Sequence, residues 1–491
     1  MATVELKADG SPVSVGGITV RSRGTGGRVE VLTPATGKRE VRAVAAPTAL
    51  EAPLAAAGFT LSREIRLEAS PPPPTPRERA VRRAGRAEEV IEVDVPAPPP
   101  DQGQVVLLRD EAGGLHWQFA PPAPRAAVRA LGTRTYRIPR SAWQPVVAAR
   151  AEVRGRGLVQ NALQVLAFPL IDPVFGPLGA KYVKNWEAKK RPYGLRWFEP
   201  ANYRSQAHPG WQPGDWQLLS AGRALLYVHG TFSRADAAFG DLDPTDFSTL
   251  FDRYGQRVFA FNHPTLSEDP RQNVDWLMGA LPDTAELDLD IVCHSRGGLV
   301  SRLIAEQFAQ RAAAGRKLKV GKIVFVATPN AGTTLADIDH MQAFLDSFTN
   351  QLNALPPSRV VDVLEAVFTV VKNVAAGAAR RLVGIQAQNP KGKFLAGLNI
   401  GPAPATQYFA LASNFEPSGV GSLALVDRVV DQAFSGAGND LVVPTEGVYD
   451  LGKTVAGFPI ADRHVFTPAE AVSHVSFFGQ ATTSAKLLQW L

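Results

Sequence analysis

A sharp turn between an apolar strand and a helix is the sequence feature that most limits the folds open to this chain. The segment Leu287–Ile304 reads LDLDIVCHSRGGLVSRLI, in which an apolar run is followed by small residues that open a helix. Gly297 lets the chain turn tightly, and such a turn pushes the hydroxyl of Ser295 out above the edge of a sheet. The pattern therefore predicts Ser295 as a nucleophile and the N–H of Arg296 as an oxyanion donor. Cys293 stands where the strict G-x-S-x-G motif has its first glycine, and a buried serine in an ordinary strand-turn-helix is the alternative.

A second turn, upstream, predicts the other half of an oxyanion hole. The buried-type strand Ala224–Val228 runs into His229, Gly230, Thr231 and Phe232, a turn whose backbone amides can point into a cavity. Acyl transfer builds negative charge on the former carbonyl oxygen, and two preorganised N–H donors stabilise that charge. We therefore predict the second donor to be the amide of Thr231 or Phe232. His229 is expected to brace the loop.

A serine nucleophile needs a histidine to take its proton and a carboxylate to hold that histidine in the right tautomer. His474 lies just before a closing amphipathic helix, whereas His464 has the pattern of a strand edge, so His474 is the predicted base. Asp440, in a turn ahead of an apolar run, is the predicted acid. Asp431 and Asp450 are the alternatives to it.

Together these residues resemble the α/β-hydrolase superfamily, and within it the lipase-like serine esterases with a V-H-G-T loop and an H-S-x-G-G elbow. The resemblance covers about Trp216–Leu491, and the chain order serine, aspartate, histidine is the order of that superfamily. Two further segments, Thr328–Gly332 and Phe394–Asn399, match runs that follow the nucleophile helix and close the lid in lipase-like members. The resemblance implies a mostly parallel central sheet flanked by helices, with a helical lid insertion. It also implies an acyl-enzyme on Ser295 that water hydrolyses, with His474 acting first as base and then as acid.

The predicted lid is the segment 335–391. Apolar residues from Phe344 to Leu355 recur at three- and four-residue steps, Pro356 and Pro357 stop that pattern, and a second periodic run begins at Val360. The spacing predicts a hairpin of two helices faced with Leu, Val and Phe, which would favour an apolar acyl chain. A purely structural hairpin is the alternative to a mobile gate.

The remainder of the chain divides into three parts ahead of a hydrolase domain at 216–491. Residues 1–70 have the pattern of a small β-rich module, and residues 71–140 that of a Pro-rich linker followed by a second β-rich segment. Residues 141–215 are expected to form a connecting helix and strap. The two β-rich segments either pair with each other or form separate modules. Whether this region binds a protein partner stays open.

Composition limits the partners and cofactors. With 491 residues and 45% hydrophobic residues, two or three domains are expected. The net charge of +6 is mild for this length, and the basic run at 77–86 is typical of a solvated linker, so no nucleic acid is expected. No zinc-type cysteine cluster, P-loop or dinucleotide motif occurs, which predicts no cofactor and no metal.

The compartment is predicted from the start of the chain. The first residues lack the apolar core of a signal peptide, so a cytoplasmic protein is expected, although membrane contact stays open. The single cysteine excludes an intrachain disulfide.

The motifs together predict a serine hydrolase that cleaves carboxylic esters, lipase-like or esterase-like, from a small-molecule or lipid substrate with apolar acyl chains. Three other functions remain open. A serine peptidase or amidase, or an acyltransferase, would use the same triad, and a non-catalytic scaffold would use the fold for binding alone.

Overall fold

The structure of the protein is a computed structural model. It describes residues 2–23, 26–33, 50–70, 90–110, 113–121, 132–139, 160–172, 176–177, 182–311, 315–355, 357–400, 405–417, 422–452, 458 and 460–491. The Pro-rich run that begins at Pro71 and the basic run at 77–86 lie outside the described residues.

The strands and helices follow one another along the described chain as two groups, a β-rich one and a mixed one. The strands are β1 (Ala2–Leu6), β2 (Val13–Val15), β3 (Ile18–Ser22), β4 (Gly26–Leu32), β5 (Thr60–Ser70), β6 (Val90–Pro96), β7 (Gln102–Arg109), β8 (Leu115–Gln118), β9 (Thr133–Pro139), β10 (Gln160–Pro169), β11 (Ile171–Asp172), β12 (Gly176–Pro177), β13 (Gly194–Trp197), β14 (Ala224–Val228), β15 (Val258–Asn262), β16 (Glu286–His294), β17 (Lys317–Val326), β18 (Gln407–Ser413) and β19 (Ile460–Phe466). The α-helices are α1 (Glu51–Ala56), α2 (Tyr182–Lys190), α3 (Asp215–Ser220), α4 (Ala235–Phe239), α5 (Pro244–Arg253), α6 (Pro270–Ala280), α7 (Gly297–Arg311), α8 (Met341–Asn353), α9 (Pro357–Ala375), α10 (Val383–Gln386), α11 (Lys393–Leu398), α12 (Ser422–Ala433) and α13 (Ala481–Trp490).

The β-rich part consists of two antiparallel sheets that share one core. A six-stranded sheet has the order β1-β4-β5-β10-β7-β8, and a four-stranded sheet has the order β2-β3-β6-β9. Buried residues of both sheets, such as Val31 and Val93, belong to a single apolar cluster, so the sheets pack face to face. Strand β7 is buried along both faces: Val106 and Leu108 point into this core, whereas Val105 and Leu107 belong to the core of the mixed part.

Strand pairing corrects the predicted division of the chain. Residues 160–169, which fall inside the predicted connecting helix and strap, form β10 at the centre of the six-stranded sheet, between β5 and β7. The two N-terminal segments do not form separate modules, because β3 pairs with β6 across the linker. The mixed part also begins before residue 216, since β13 pairs with β15. These pairings join strands that lie far apart in sequence, and a local pattern carries no information about such partners.

The mixed part is built on a mostly parallel sheet flanked by helices, which confirms the predicted architecture at this level. The order is β13-β15-β14-β16-β17-β18-β19, and only β13 runs antiparallel to its neighbour. The central strands are continuous apolar runs, as expected when both faces are covered. On β14, Leu226 contacts the core that holds α6 and α7, and Tyr227 contacts the core that holds α5 and α13.

Helices α8 and α9 occupy the segment 335–391 and lie between the two parts of the molecule. The periodic residues predicted for this segment do form two helices. On α9, Phe368 is fully buried and packs edge-on against Phe59 and Trp117 of the β-rich part, with ring centroids 5.9 and 6.0 Å apart. The β-rich part therefore packs directly against these helices.

Side chains of α8 satisfy the open edge of strand β8. The Asn350 amide accepts a hydrogen bond from the Leu115 N–H at 2.9 Å and donates to the Leu115 carbonyl at 2.7 Å. The Trp117 backbone N–H donates to Asp346 at 2.7 Å, and its indole N–H donates to Thr349 at 2.9 Å. An exposed edge strand would otherwise leave these groups unpaired, so the helix replaces a neighbouring strand.

His116 adds a charge to this junction. Its ring nitrogens lie 3.3 Å from Asp110 and 3.4 Å from Asp346, and all three side chains are buried. Burial disfavours the charged imidazolium, but the hydrogen bonds to the two carboxylates outweigh that penalty and raise the pKa of His116 to about 9.

Among the described helices, none combines the length and the apolar character that crossing a bilayer would require.

The raised pKa of His116 predicts a pH-dependent stability. Because the folded-state pKa, about 9, lies above the ordinary 6.5, the charge on His116 stabilises the fold fully below about pH 6.5. That stabilisation, on the order of 2–3 kcal/mol, is lost as the pH rises through 9. Urea unfolding of the wild type and His116→Gln should give a difference in unfolding free energy that shrinks between pH 7 and about 10. A difference that stays constant over this interval would contradict a charged His116.

Candidate active site

Ser295 follows directly after β16 in a strained backbone conformation. Its φ is 53°, in the left-handed region that non-glycine residues avoid. A Cβ at Gly297 would lie 2.3 Å from the Val228 carbonyl oxygen, and a Cβ at Gly230 would lie 2.6 Å from the Ser295 Cβ. Both positions therefore require glycine, because the elbow packs against the end of β14. The Ser295 N–H donates to the Val326 carbonyl at 2.9 Å, which ties the turn to β17.

The position of Ser295 in the sheet is that of a ligand site. From β14 the chain crosses to β15 on one side and later to β16 on the other, so the carboxyl ends of β14 and β16 form a topological switch point. Ligands of open α/β sheets bind at such a point, outside the carboxyl ends of the strands.

The structure brings His474 and Asp440 into direct contact. His474 Nδ1 donates to Asp440 Oδ2 at 2.8 Å, and the two side chains are almost fully buried. The other carboxylate oxygen, Oδ1, accepts from the amides of Val442 at 2.9 Å and Val443 at 2.7 Å. With Nδ1 as the donor, Nε2 of a neutral His474 carries the free lone pair. This Nε2 is buried and has no hydrogen-bond partner among the described residues.

His474 is also held against the elbow. His294, the residue before Ser295, donates from Nε2 to the His474 carbonyl at 2.9 Å, and the two ring centroids lie 5.0 Å apart. Burial lowers the pKa of His294 to about 3, so this ring stays neutral near pH 7.

The alternative candidates for the base and the acid, His464, Asp431 and Asp450, contact other residues. Asp431 accepts from Asn439, and Asp450 accepts from the amide of Gly452. His464 lies on β19. None of the three forms a described hydrogen bond to His474 or Ser295.

The loop after β14 is braced internally, as predicted for His229. Its Nδ1 donates to the Gly230 carbonyl at 3.0 Å, and its Nε2 accepts from the His263 N–H at 3.2 Å. Burial lowers the pKa of His229 to about 3. Of the two amides considered as oxyanion donors, that of Phe232 donates to Thr265 Oγ1 at 3.3 Å. Within the described chain, the amide of Thr231 has no such partner.

The side chain of Arg296 is bonded to α10, to α6 and to the loop that precedes α6. It is fully buried and donates to the carbonyls of Gly384 and Glu268 and to the side chain of Asn273. Burial lowers the pKa of Arg296 to about 10. Its backbone N–H, the predicted oxyanion donor, makes no hydrogen bond within the described residues.

Backbone strain concentrates around these loops. Seven described non-glycine residues have positive φ, and four of them follow strands or turns of the site: Phe232 (66°), Ser295 (53°), Ala327 (52°) and Leu441 (79°). Such conformations cost roughly 1–3 kcal/mol each and persist only where the surroundings fix them. Their clustering at one edge of the sheet is typical of a functional site.

Helix α8 covers the site. Phe348 packs edge-on against the rings of Phe232 and His474, with centroids 4.9 and 5.7 Å away, and the Ser347 hydroxyl donates to the Leu441 carbonyl at 2.7 Å. Ser295 is 2% exposed. It lines neither of the two described surface clefts, of about 330 and 430 Å³. The hydroxyl-bearing side chain of Ser295 is therefore covered in this conformation.

Two residues of the site carried no signal in the sequence. The Gln388 amide donates to the Thr231 hydroxyl at 3.1 Å. The buried carboxylate of Glu187 accepts from the amides of Thr265, Leu266 and Ser267 and so fixes the loop that contacts Phe232. Both lie in segments without a motif.

Fold and site together define a mostly parallel α/β protein with a buried aspartate–histidine pair beside a strained serine. Residues 190–491, more than half of the chain, match a family model described as Domain of unknown function (DUF7379), and the chain belongs to that family. No curated protein matches the chain.

Three solved structures illustrate what the chain is similar to. The Bacillus licheniformis lipase BlEst2 is 18% identical, with 55% of this chain and 92% of that chain covered and a TM-score of 0.32. Lipase 1 from Pelosinus fermentans is 14% identical, with 55% and 99% covered and a TM-score of 0.36. The enol-lactonase from Burkholderia xenovorans LB400 is 14% identical, with 55% and 90% covered and a TM-score of 0.30.

The strain at Ser295 predicts an unusual order of stability. Ser295→Gly should be more stable than Ser295→Ala by about 1 kcal/mol, because glycine adopts the left-handed conformation without a clashing Cβ. Urea unfolding of both variants measures the difference. The same pair at Ser301, inside α7, is the control and should show the opposite order by about 0.5–1 kcal/mol. Equal stability of the two variants at position 295 would contradict a strained elbow.

Proposed function

We propose that this protein is a serine hydrolase that cleaves carboxylic esters through an acyl-enzyme on Ser295, with His474 as base and Asp440 as acid. The observation that carries the proposal is the buried contact between His474 Nδ1 and Asp440 Oδ2, which leaves Nε2 without a hydrogen-bond partner among the described residues. The His474 carbonyl is bonded to His294, the residue before Ser295. A histidine oriented in this way by a carboxylate is the requirement for activating a serine hydroxyl.

The proposed reaction has two halves. His474 Nε2 takes the proton of Ser295 as its Oγ attacks the ester carbonyl carbon, and the alcohol leaves with that proton. Water then gives a proton to His474 and attacks the acyl carbon. The bond from that carbon to Ser295 Oγ breaks, Oγ takes the proton back from His474, and the carboxylic acid leaves. Asp440 holds the imidazolium between these steps through its hydrogen bond to Nδ1, and the amides of Val442 and Val443 fix the position of its carboxylate.

The oxyanion is assigned to two backbone amides. The N–H of Arg296, at the start of α7, is one donor, since the Ser295 amide is already committed to β17. Thr231 is favoured over Phe232 as the second, because the Phe232 amide would have to give up its bond to Thr265. Two such donors stabilise the tetrahedral intermediate in a site from which water is excluded.

The substrate is proposed to carry an apolar acyl chain. The rings of Phe232, Phe344 and Phe348 pack together at the site, with centroids 4.9–5.7 Å apart. An acyl chain that displaces or slides between these rings exchanges one apolar contact for another, at little cost in desolvation. A charged group in the same place would lose its hydration without a partner.

Helix α8 is proposed as a gate. Ser295 is covered, so turnover requires a conformation in which α8 moves, and the junction with β8 opposes that movement. In this proposal the β-rich part regulates access to the serine, because α8 is fastened to its edge strand by buried hydrogen bonds. The open state is populated only as far as those bonds allow.

Hydrolysis of p-nitrophenyl esters from acetyl to palmitoyl tests the proposed function. The wild type should turn over at least one of these esters, and Ser295→Ala and Asp440→Asn should each lose roughly 10⁴-fold in kcat. Ser301→Ala, which removes a buried hydroxyl on α7, the helix that follows the elbow, is the matched control and should retain activity.

Other outcomes separate the alternatives. Faster cleavage of matched p-nitroanilides than of esters would replace the esterase by an amidase or peptidase. Transfer of the acyl group to an added alcohol in preference to water would indicate an acyltransferase. Activity that survives Ser295→Ala would contradict the catalytic assignment, and no turnover of any substrate would favour the binding scaffold.

Weakening the junction with β8 should activate the enzyme. Thr349→Val keeps the shape of the side chain but removes the acceptor of the Trp117 indole N–H, which costs roughly 1–3 kcal/mol in the closed state. We expect kcat/KM for the octanoyl ester to rise about fivefold or more, measured at a temperature at which circular dichroism shows the variant to be folded. Thr369→Val is the control, because the Thr369 hydroxyl bonds only to a carbonyl within its own helix. Unchanged or lower activity in Thr349→Val would contradict the gate.

A further inference from the structure

A cleft of about 330 Å³ opens beside the loop after β14, at the carboxyl ends of β14 and β15. Three arginines line it, Arg191, Arg196 and Arg234, together with the buried histidines His229 and His263. None of the aromatic residues under α8 lines this cleft. It is therefore separate from the place proposed for the acyl chain.

The carboxylates near the cleft do not neutralise all three arginines. Arg234 pairs with Asp236 at 3.1 Å and with Asp362 at 2.9 Å, and Arg196 lies 3.9 Å from the same Asp236. Arg191 forms no salt bridge with a described carboxylate, although only 6% of it is exposed. Its guanidinium donates to the backbone carbonyl of Asp362. Asp362, Glu365 and Asp236 lie near enough to favour the charge on Arg191, but burial outweighs them and lowers the pKa of Arg191 to about 10.

Three buried nitrogens in the same cleft have no hydrogen-bond partner among the described residues. They are Nε of Arg191, Nε of Arg196 and Nε2 of His263. His263 uses its other nitrogen, Nδ1, toward the Phe261 carbonyl at 3.3 Å. Buried polar atoms are nearly always paired in folded proteins, and a ligand bound in this cleft would pair these three. Two N–H donors on guanidinium groups suit an oxyanion, and a hydroxyl of the ligand suits the free lone pair of His263.

The loop after β14 contacts both the cleft and Ser295. His263 donates from its amide to His229, a wall of the cleft, and the next residue, Gly230, packs against Ser295. A group anchored in the cleft is thus connected to the oxyanion loop through rigid, buried contacts.

We propose that this cleft binds a carboxylate or a phosphate group through Arg191 and Arg196, with His263 as a further partner. The group is either part of the ester substrate or a separate ligand, and the chemistry of recognition is the same in both cases. Binding itself does not depend on catalysis, whereas the link to an ester rests on the proposed function.

Binding is tested with inorganic phosphate and with succinate by calorimetry on the full-length protein at constant ionic strength. The wild type should bind at least one of them, and Arg191→Gln should weaken its affinity about tenfold or more, because it removes the charge and the Nε–H. Glutamine keeps an N–H₂ group for the Asp362 carbonyl, so the fold should be retained. Arg204→Met, an exposed arginine outside the cleft, is the control and should bind like the wild type.

Wild-type crystals soaked in tungstate give a second readout that needs no variant. Anomalous density within hydrogen-bond distance of Arg191 Nε supports the site. No binding by the wild type, equal affinity of Arg191→Gln, or tungstate only elsewhere would each overturn it.

A matched pair of esters identifies the source of the group. If the substrate carries it, Arg191→Gln should raise KM about tenfold for mono-p-nitrophenyl succinate and leave KM for p-nitrophenyl butyrate unchanged. If it is a separate ligand, the two esters should respond alike. Should the wild type hydrolyse neither ester, the proposed function fails, and the phosphate titration still decides the cleft.

Discussion

Asp440 is a carboxylate removed from water, and its burial is compensated by three hydrogen bonds that converge on it. Two come from the amides of Val442 and Val443, and the third comes from His474 Nδ1. An ionised carboxylate without such partners would be strongly disfavoured in this position. The same hydrogen bonds fix the orientation of His474, so the fold of the loop that holds Asp440 and the position of the imidazole depend on the same contacts.

The site is also tied to the rest of the molecule through α8. One side of this helix places Phe348 on His474, a second side bonds Leu441 through Ser347, and a third side completes the edge of β8. A helix with so many buried residues must pair most of its polar groups, and Asp346, Ser347, Thr349 and Asn350 of α8 do so with the β-rich part and with the loop that holds Asp440. The β-rich sheets are therefore part of the environment of the serine, and their contribution is to hold the cover in place.

The local features of this fold could be predicted from the sequence, and the long-range ones could not. The elbow at Ser295, the loop at His229 and the two helices of 335–391 each have a pattern within a few residues, because sharp turns require glycine and buried faces require periodic apolar residues. The sequence predicts a strap where the structure has β10, because the apolar run of this segment indicates a strand only once β5 and β7 lie beside it. The bond from Trp117 to Thr349 and the cationic cleft around Arg191 depend in the same way on residues that only tertiary structure brings together.

The role of Ser295 as the nucleophile is the claim on which the account depends, and covalent labelling tests it most directly. The protein would be treated with a fluorophosphonate, digested, and the modified residue located by mass spectrometry. The account predicts a single adduct on Ser295 in the wild type, greatly slowed in His474→Ala, because the hydroxyl then has no base to take its proton. An adduct on another residue, or a rate of labelling at Ser295 that His474→Ala leaves unchanged, would contradict it.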